Sequence, residues 1–385
     1  MHNPLTYLWQ DPTAAQNSKT AVSLHGHTNH SKESLYFIMQ FAQQYGLLRW
    51  ALEQKEKRAQ QDSAIKLDFW KAYWTPPLPA LAAYDIERRQ IEEQLEIEAM
   101  ISLTDHDNIE APMLLRVVPE ARRIPVSLEW SVPYEETIFH LGVHNLPTAE
   151  AEPWTMRLLD YAKKPDPAQL RSLVAALSDI PQVLLVFNHP LWDLPRVGRD
   201  RHLELVHRFA SEIGEFLHAY ELGGLRGWEE NEGVMQLAKA YGKPVISGGD
   251  RHGCEPSAIL NLTNATSFSE FVDEVRHGQS HVLFMPQYAE STTLRTIQTL
   301  LDVIRNYPEH PAGFRSWDER VFHPDREGVC RPLAALWRQP PAFIGQTFAV
   351  LRLFECEPIR GVLRMANGWR QGLRVNLGEG QEALP

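Results

Sequence analysis

The sequence contains few cysteines and no long apolar run, and each absence excludes a class of protein. Three cysteines in 385 residues are too few for the disulfide framework of a small secreted domain or for a cysteine-based zinc site. No uninterrupted apolar stretch has the length of a membrane-spanning helix. The N-terminus lacks the cationic start and apolar core of a secretory signal. We therefore expect a cytoplasmic protein without a membrane partner.

A surplus of positive charge is also missing, since the formal net charge is −11. A protein that coats nucleic acid needs a broad basic surface, so the composition argues against that role. It leaves room for a local basic pocket that binds one phosphate group.

The chain is longer than most single domains, which predicts one large domain with additions. We assign residues 1–20 to an irregular lead-in and residues 21–284 to the main domain. Residues 285–385 differ in sequence pattern from the main domain, and we assign them to a C-terminal accessory region. A contact between subunits of an oligomer is an alternative role for this region. An insertion of about residues 45–98 interrupts the main domain, and we predict a helix over residues 84–99 within it.

The main domain opens with a short apolar run, residues 21–24, that leads into His25-Gly-His27. On a strand, residues two apart point to the same face. His25 and His27 would therefore present two imidazoles side by side, and neutral imidazole is a common ligand of zinc, iron and other transition metals.

Five later stretches repeat this pattern, in which an apolar run precedes a histidine or an acidic residue. Strands that alternate with helices and carry polar residues at their C-terminal ends are typical of a (β/α) barrel. The five are residues 100–104 before Asp105-His106-Asp107, 124–128 before Glu129, 137–139 before His140, 183–187 before Asn188-His189-Pro190, and 244–247 before Gly248-Gly249-Asp250-Arg251-His252. A further strand is predicted over residues 214–222.

Taken in this order, the six motifs resemble those of the polymerase and histidinol phosphatase (PHP) family of metal-dependent phosphoesterases, over roughly residues 21–284. The resemblance implies a distorted (β/α)7 TIM-like barrel with a helical insertion after strand 1 and a C-terminal appendage. It also implies hydrolysis of a phosphate ester, of a small molecule or a nucleotide, by metal-activated hydroxide.

The family resemblance assigns metal ligands residue by residue. His25, His27 and Asp250 resemble the ligands of a first metal, with Glu129 shared, and Glu129, His140 and His189 resemble those of a second. His106 and His252 resemble ligands of a third. Lys32 stands where the family often has aspartate, so Glu33 or His30 would have to complete that site. Glu129, Asp250 and His252 are the expected catalytic residues. A mixed set of imidazoles and carboxylates favours two to three Zn²⁺, Mn²⁺ or Fe²⁺ ions over Ca²⁺ or Mg²⁺.

The loop after His189 carries three arginines, and arginine is the natural fork for a phosphate group. We predict that Arg196 or Arg199 anchors the substrate phosphate and that Trp192 forms a stacking wall. The alternative is that these arginines pair with Asp193 and Asp200 beside them.

Two rival functions are compatible with parts of the pattern. An amidohydrolase-type metal hydrolase shares the His-x-His opening, but it requires a metal-bridging lysine at a strand end in the middle of the barrel. A PHP-like barrel kept as a non-catalytic regulatory or assembly module is the second rival. The insertion is either a lid or substrate wall, or a helical hairpin packed on the outside of the barrel.

Overall fold

The computed structural model describes residues 4–35, 68, 71–307, 316–336, 352–353, 356 and 358–361. Residues 45–67, 69 and 70 of the predicted insertion and most of the residues after 336 in the predicted C-terminal region lie outside the described residues.

The described residues contain fourteen β-strands, most of them short and buried. In chain order they are β1 Leu5–Tyr7, β2 Thr20–Gly26, β3 Glu33–Ser34, β4 Tyr73–Trp74, β5 Glu98–Leu103, β6 Val126–Tyr134, β7 Thr137–Leu146, β8 Leu184–Asn188, β9 Ala219–Gly223, β10 Val245–Gly248, β11 Ile259–Thr263, β12 Val282–Phe284, β13 Val321–Pro324 and β14 Cys330–Pro332.

Nine α-helices lie in the same described part of the chain. They are α1 Ala80–Gln94, α2 Glu110–Leu115, α3 Ala151–Lys163, α4 Pro167–Ser178, α5 Arg199–Ile213, α6 Trp228–Ala240, α7 Phe268–Arg276, α8 Thr292–Ile304 and α9 Leu333–Leu336. None of the described helices is long and apolar enough to cross a membrane.

Two five-stranded sheets form the centre of the fold, in the orders β1-β12-β11-β2-β5 and β10-β9-β8-β7-β6. In the second sheet, β7 pairs antiparallel with β6 and with β8, whereas β9 pairs parallel with β8 and with β10. No helix separates β6 from β7, because they form a hairpin. The predicted α/β class is confirmed, although the strand directions are mixed.

The two sheets meet at two places without continuous pairing. At one of them a β-bridge pairs His106, after β5, with Glu129 in β6. On the other side, the amide of Gly249 donates to the carbonyl of Leu24 at 2.8 Å, and the amide of His27 donates to the carbonyl of Arg251 at 2.9 Å. Within the described residues these contacts do not make a closed sheet, so the expected closed seven-stranded barrel is not shown.

The largest apolar core lies between the second sheet and helices α3 to α6. Trp130 and Phe187 from the sheet are buried there together with Leu158 and Phe209 from the helices. Apolar residues recur along these helices at the spacing that places them on one face, and burial of that face holds the second sheet in place.

Three predicted boundaries differ from the structure. The helix expected over residues 84–99 is Ala80–Gln94, because Glu96 has a left-handed backbone with φ of 56° that ends the helix before β5. The strand expected over residues 214–222 is Ala219–Gly223, because residues 213–217 form turns after α5. The lead-in, expected to be irregular, contains β1, which pairs with β12.

A small third sheet, in the order β14-β13-β4-β3, joins three distant parts of the sequence. Strand β3 follows the His-x-His motif, β4 lies within the predicted insertion, and β13 and β14 lie in the predicted C-terminal region. The C-terminal region therefore pairs with the insertion next to the strand that carries Glu33.

Candidate metal centre

The structure brings all nine candidate metal ligands into one buried cluster, although it does not place all of them where the sequence suggested. His25 lies in β2, and His27, His106, His189, Asp250 and His252 follow strand ends, as expected. Glu129 and His140 were expected at strand ends but lie inside β6 and β7, opposite Gly142 and Ser131. The hairpin continues past both residues, so their side chains point into the cluster from the middle of strands.

The carboxylate of Glu129 is the centre of the cluster and is fully buried. Its Oε2 lies 3.1 Å from Nε2 of His25, 3.3 Å from Nε2 of His27 and 3.4 Å from Nδ1 of His106. Its Oε1 lies 3.3 Å from Nδ1 of His140 and 3.1 Å from Nε2 of His189. The two oxygens of one carboxylate thus face two different groups of imidazoles.

Two further carboxylates complete the cluster. Oδ1 of Asp250 lies 3.8 Å from Nε2 of His25 and 3.6 Å from Nε2 of His27. Glu33 lies on the other side, with Oε2 3.3 Å from Nε2 of His106 and 3.1 Å from Nε2 of His252. Of the two residues proposed to replace the missing aspartate, Glu33 is therefore the one in the cluster.

The neighbours of Glu33 point elsewhere. His30 lies 3.2 Å from the carboxylate of Glu110, and the ammonium group of Lys32 lies over the ring of Tyr73 at 5.4 Å from its centre. His144, which shares a strand with His140, contacts the hydroxyl of Ser102 at 2.8 Å.

The cluster fits divalent transition metals because its inward-facing atoms are left without ordinary partners. Nε2 of His25, Nε2 of His27, Nδ1 of His106 and Oε2 of Glu129 are buried and make no hydrogen bond within the described residues. Buried polar atoms are rarely left in this state. Four groups of three or four residues place ligand atoms within 4.8 Å of one another, and the mixture of imidazole and carboxylate suits Zn²⁺, Mn²⁺ or Fe²⁺.

Burial and charge act against each other in the cluster. Burial alone would raise the pKa of Glu129, but the charges of His25, His106 and His140 hold it well below its usual value. Burial likewise opposes protonation of His106, yet Glu33 and Glu129 raise its pKa to about 10. Burial lowers the pKa of His27 to about 3. The carboxylates therefore raise the pKa of some imidazoles in the cluster, while burial lowers the pKa of others.

The backbone is strained at several of these positions. His25, His189 and Asp250 have positive φ values of 60°, 26° and 47°, a region that residues other than glycine rarely occupy. Such strain costs about 1–3 kcal/mol for each residue and is concentrated at functional sites. The surrounding structure therefore fixes these side chains in directions that an ordinary strand end would not give them.

Glu221 is a site residue that the sequence reasoning missed. It lies in the middle of β9 and is buried, and its Oε2 lies 2.6 Å from Nδ1 of His25. This contact holds the ring so that Nε2 faces Glu129. A Cβ atom on Gly248 would lie 2.1 Å from the Glu221 carboxylate, so the glycine gives Glu221 its room. The available signal was an acidic residue at the end of a predicted strand, the pattern that identified the other ligands.

Two more residues support the carboxylates. Asn188 donates its side-chain amide to Oε1 of Glu129 at 3.0 Å. Arg226, in the loop after β9, donates from Nη2 to Oδ2 of Asp250 at 2.8 Å. Partners of this kind orient metal ligands and tune their basicity.

The predicted phosphate anchors, Arg196 and Arg199, are exposed at the surface and are not part of the cluster. Their alternative partner Asp193 instead accepts hydrogen bonds from the backbone amides of Val197 and Gly198. Trp192, by contrast, does lie beside the cluster, with its ring 5.1 Å from that of His189. The guanidinium that covers this tryptophan belongs to Arg226, at 4.2 Å.

Neither a family model nor any curated protein matches this chain. The solved structures that resemble it weakly include the following three. PsfC from Pseudomonas syringae has 15% identity, a TM-score of 0.40, and coverage of 57% of this chain and 90% of PsfC. A protein from Bifidobacterium adolescentis, provisionally assigned as a metal-dependent phosphoesterase, has 14% identity, a TM-score of 0.33, and coverage of 52% and 92%. An amidohydrolase from Chromobacterium violaceum has 13% identity, a TM-score of 0.35, and coverage of 60% and 87%.

Replacement of Glu221 tests the support of His25. We expect Glu221→Ala to weaken metal binding by about 10–100-fold, because the ring of His25 loses the partner that orients it. Glu221→Gln keeps an acceptor for the imidazole and should lose less affinity. Competition with a chelator measures both variants, and unchanged affinity in Glu221→Ala would show that His25 does not depend on this contact.

The pKa shifts predict how metal binding depends on pH. The pKa of His106 is raised to about 10, so this imidazole carries a proton at neutral pH when no metal is bound. A ligand must be deprotonated, so metal binding releases protons. Affinity should therefore increase as pH rises towards 10, by about tenfold per pH unit for each proton released. Titration at several pH values measures the slope, and a flat profile would contradict the charge state.

Proposed function

We propose that this protein is a metal-dependent phosphoric ester hydrolase of the PHP type, with Glu129, Asp250 and His252 as its catalytic residues. The observation that carries the proposal is the position of Glu129 between two groups of imidazoles, one facing each carboxylate oxygen. A carboxylate has two oxygens and can bridge two ions. His25, His27 and Asp250 would hold one ion, and His140 and His189 would hold the second.

The remaining candidates would hold a third ion. Glu33, His106 and His252 converge with His27 in one group. His252 and Asp250 lie on the same short segment after β10, so the third ion would lie next to the first. Divalent ions in such an arrangement lower the pKa of a bound water and offset negative charge on phosphoryl oxygens. The number of ions, two or three, and their identity as zinc, manganese or iron are part of the proposal.

The position of Arg226 supports the proposal that the substrate carries a phosphate group. One of its nitrogens is engaged by Asp250, and its buried Nε lies 3.8 Å from Oε1 of Glu230 without a hydrogen bond among the described residues. Arginine binds phosphate through several fixed N–H groups. Together with the ring of Trp192, Arg226 offers charge and a flat surface beside the cluster, which suits a small phosphate ester or a nucleotide.

The fold belongs to the same proposal. Strands β2 and β5 to β10 surround the cluster, and the contacts between the two sheets lie beside it. We interpret these seven strands as a distorted (β/α)7 barrel in which hydrogen bonds at two edges replace continuous pairing. The domain limits, the cytoplasmic location and an oligomer contact through residues 285–385 stay predictions.

The geometry favours this function over its rivals. The amidohydrolase-type hydrolase requires a lysine as the bridging ligand, whereas the residue between the imidazole groups is Glu129. A non-catalytic module does not need its metal ligands, and decayed sites usually lose several of them. Here every expected ligand position faces the cluster with a residue able to bind metal.

Hydrolysis of a generic aryl phosphate with added Mn²⁺ or Zn²⁺ tests the proposal. We expect turnover by the metal-loaded protein, and a loss of about 10³-fold in Glu129→Gln, because the bridging charge is removed. Glu136→Gln, an exposed position in the turn of the same hairpin, is the matched control and should retain activity. A metal-loaded protein that hydrolyses no phosphate ester would favour the non-catalytic module.

Replacement of arginines locates the phosphate anchor. Arg226→Gln should raise KM for phosphate esters by about 10–100-fold, the loss expected for a hydrogen bond to a charged group. Arg199→Ala tests the position expected from the sequence, and Arg171→Ala on α4 controls for loss of a surface charge. A raised KM in Arg199→Ala together with an unchanged KM in Arg226→Gln would return the anchor to the loop after His189.

A further inference from the structure

A buried ion pair lies next to the cluster without being one of its ligands. Nε of Arg251 donates to Oε1 of Glu87 at 2.9 Å, and the two side chains are only 3% and 1% exposed. Buried charges are rare in proteins. Removal from water is costly, so such a pair persists only when its remaining donors and acceptors are also satisfied.

The other donors of Arg251 bind the backbone of the metal-ligand segments. Nη2 donates to the carbonyl of His27 at 3.0 Å, and Nη1 donates to the carbonyl of Gly253 at 2.9 Å. The backbone of Arg251 also pairs with the end of β2, where its amide donates to the carbonyl of His25 at 3.3 Å. One side chain thus connects the segment of His25 and His27 to the segment of Asp250 and His252.

Glu87 is fully occupied as well. Its carboxylate accepts from the hydroxyl of Ser23 at 2.9 Å and from the amide of Ser257 at 3.1 Å. Ser23 lies two residues before His25 on β2, and Ser257 follows the loop that carries His252. Glu87 and Arg251 therefore bind the same two segments from opposite ends of the pair.

The position of Glu87 in the sequence shows which part of the chain the ion pair connects to the ligand segments. Glu87 lies on helix α1, on a buried face that also carries Ala83, Tyr84, Gln90 and Ile91. An apolar residue at this position would satisfy the packing of the helix. The carboxylate has a different consequence, because it ties a helix from the predicted insertion to the strands that present the ligands.

We infer that Glu87 and Arg251 are positioning residues of the metal centre, which fix the distance and orientation between the two ligand segments. The inference rests on the proposed metal centre. Arginine is required for it, because a planar guanidinium reaches one carboxylate and two carbonyl groups at fixed angles, whereas lysine offers a single charged nitrogen.

The test compares metal binding with the stability of the metal-free protein. The variants are Glu87→Gln, Arg251→Lys and the double variant Glu87→Gln/Arg251→Gln, with Glu92→Gln as matched control. Glu92 lies on the same helix but pairs with Arg88 at the surface. We expect the single variants to bind Mn²⁺ about 10–100-fold more weakly, and the control to bind within about twofold of the unaltered protein.

Two readouts separate positioning from general stabilisation. Positioning predicts an altered visible spectrum of the Co²⁺-loaded Arg251→Lys variant, because the arrangement of its ligands changes. It also predicts that the variants lose metal affinity although the midpoint of their thermal unfolding without metal stays close to that of the unaltered protein. A lower midpoint combined with unchanged metal affinity and spectrum would overturn the inference. If Glu87→Gln fails to fold, Ser257→Ala removes the hydroxyl that donates to Oε1 of Glu87 at 3.3 Å and is measured in the same way.

The outcomes also distinguish this inference from the proposed function. If the unaltered protein binds no transition metal, the proposed metal centre itself is wrong. If it binds metal and all three pair variants bind equally well, only the positioning role is wrong.

Discussion

The site depends on one constraint, the burial of three carboxylates among six imidazoles. Glu129 is the clearest case, since it is fully buried and still holds its charge. An isolated buried carboxylate would bind a proton instead. The low pKa of Glu129 depends on the neighbouring imidazoles, of which His25 and His106 have raised pKa values because carboxylates surround them. Metal ions would supply the same balance with a larger charge.

The fold meets this constraint by presenting ligands from strands that are distant in sequence. Single residues from β2, β3, β6 and β7 enter the cluster from within strands, while the other five follow strand ends. Of these five, His189 and Asp250 have strained backbone conformations. Around them lies a set of buried partners that do not face the cluster's centre. Glu221 orients His25, Asn188 holds Glu129, and Arg226 holds Asp250. The rigidity of the site therefore comes from polar contacts in addition to the apolar core.

The sequence predicted which side chains gather in the cluster because most of them belong to a local pattern, and their role as metal ligands stays a prediction. His25 and His27 follow an apolar run, and the motif around Asp250 and His252 does the same. Partners were harder to predict, because their role depends on contacts across long stretches of sequence. Glu87 reads as one of several charged residues on a surface helix until the structure places it against Arg251, 164 residues away.

The phosphate anchor was predicted from the sequence in the same way. Arg196 and Arg199 were chosen because their loop follows His189; the structure exposes both side chains at the surface, and their role as phosphate anchors stays a prediction. Arg226 has no motif around it and lies at the site because β9 ends beside β10. The strand positions of Glu129 and His140 were wrong for a related reason, since the length of a hairpin depends on cross-strand pairing.

The most direct test of the account is a diffraction measurement at the manganese absorption edge on crystals of the Mn²⁺-loaded protein. The account predicts at least two anomalous peaks, one on each side of the Glu129 carboxylate, each close to the imidazole group assigned to it. A structure without peaks among these side chains, or with a single ion bound only elsewhere, would contradict the assignment of this cluster as a metal centre.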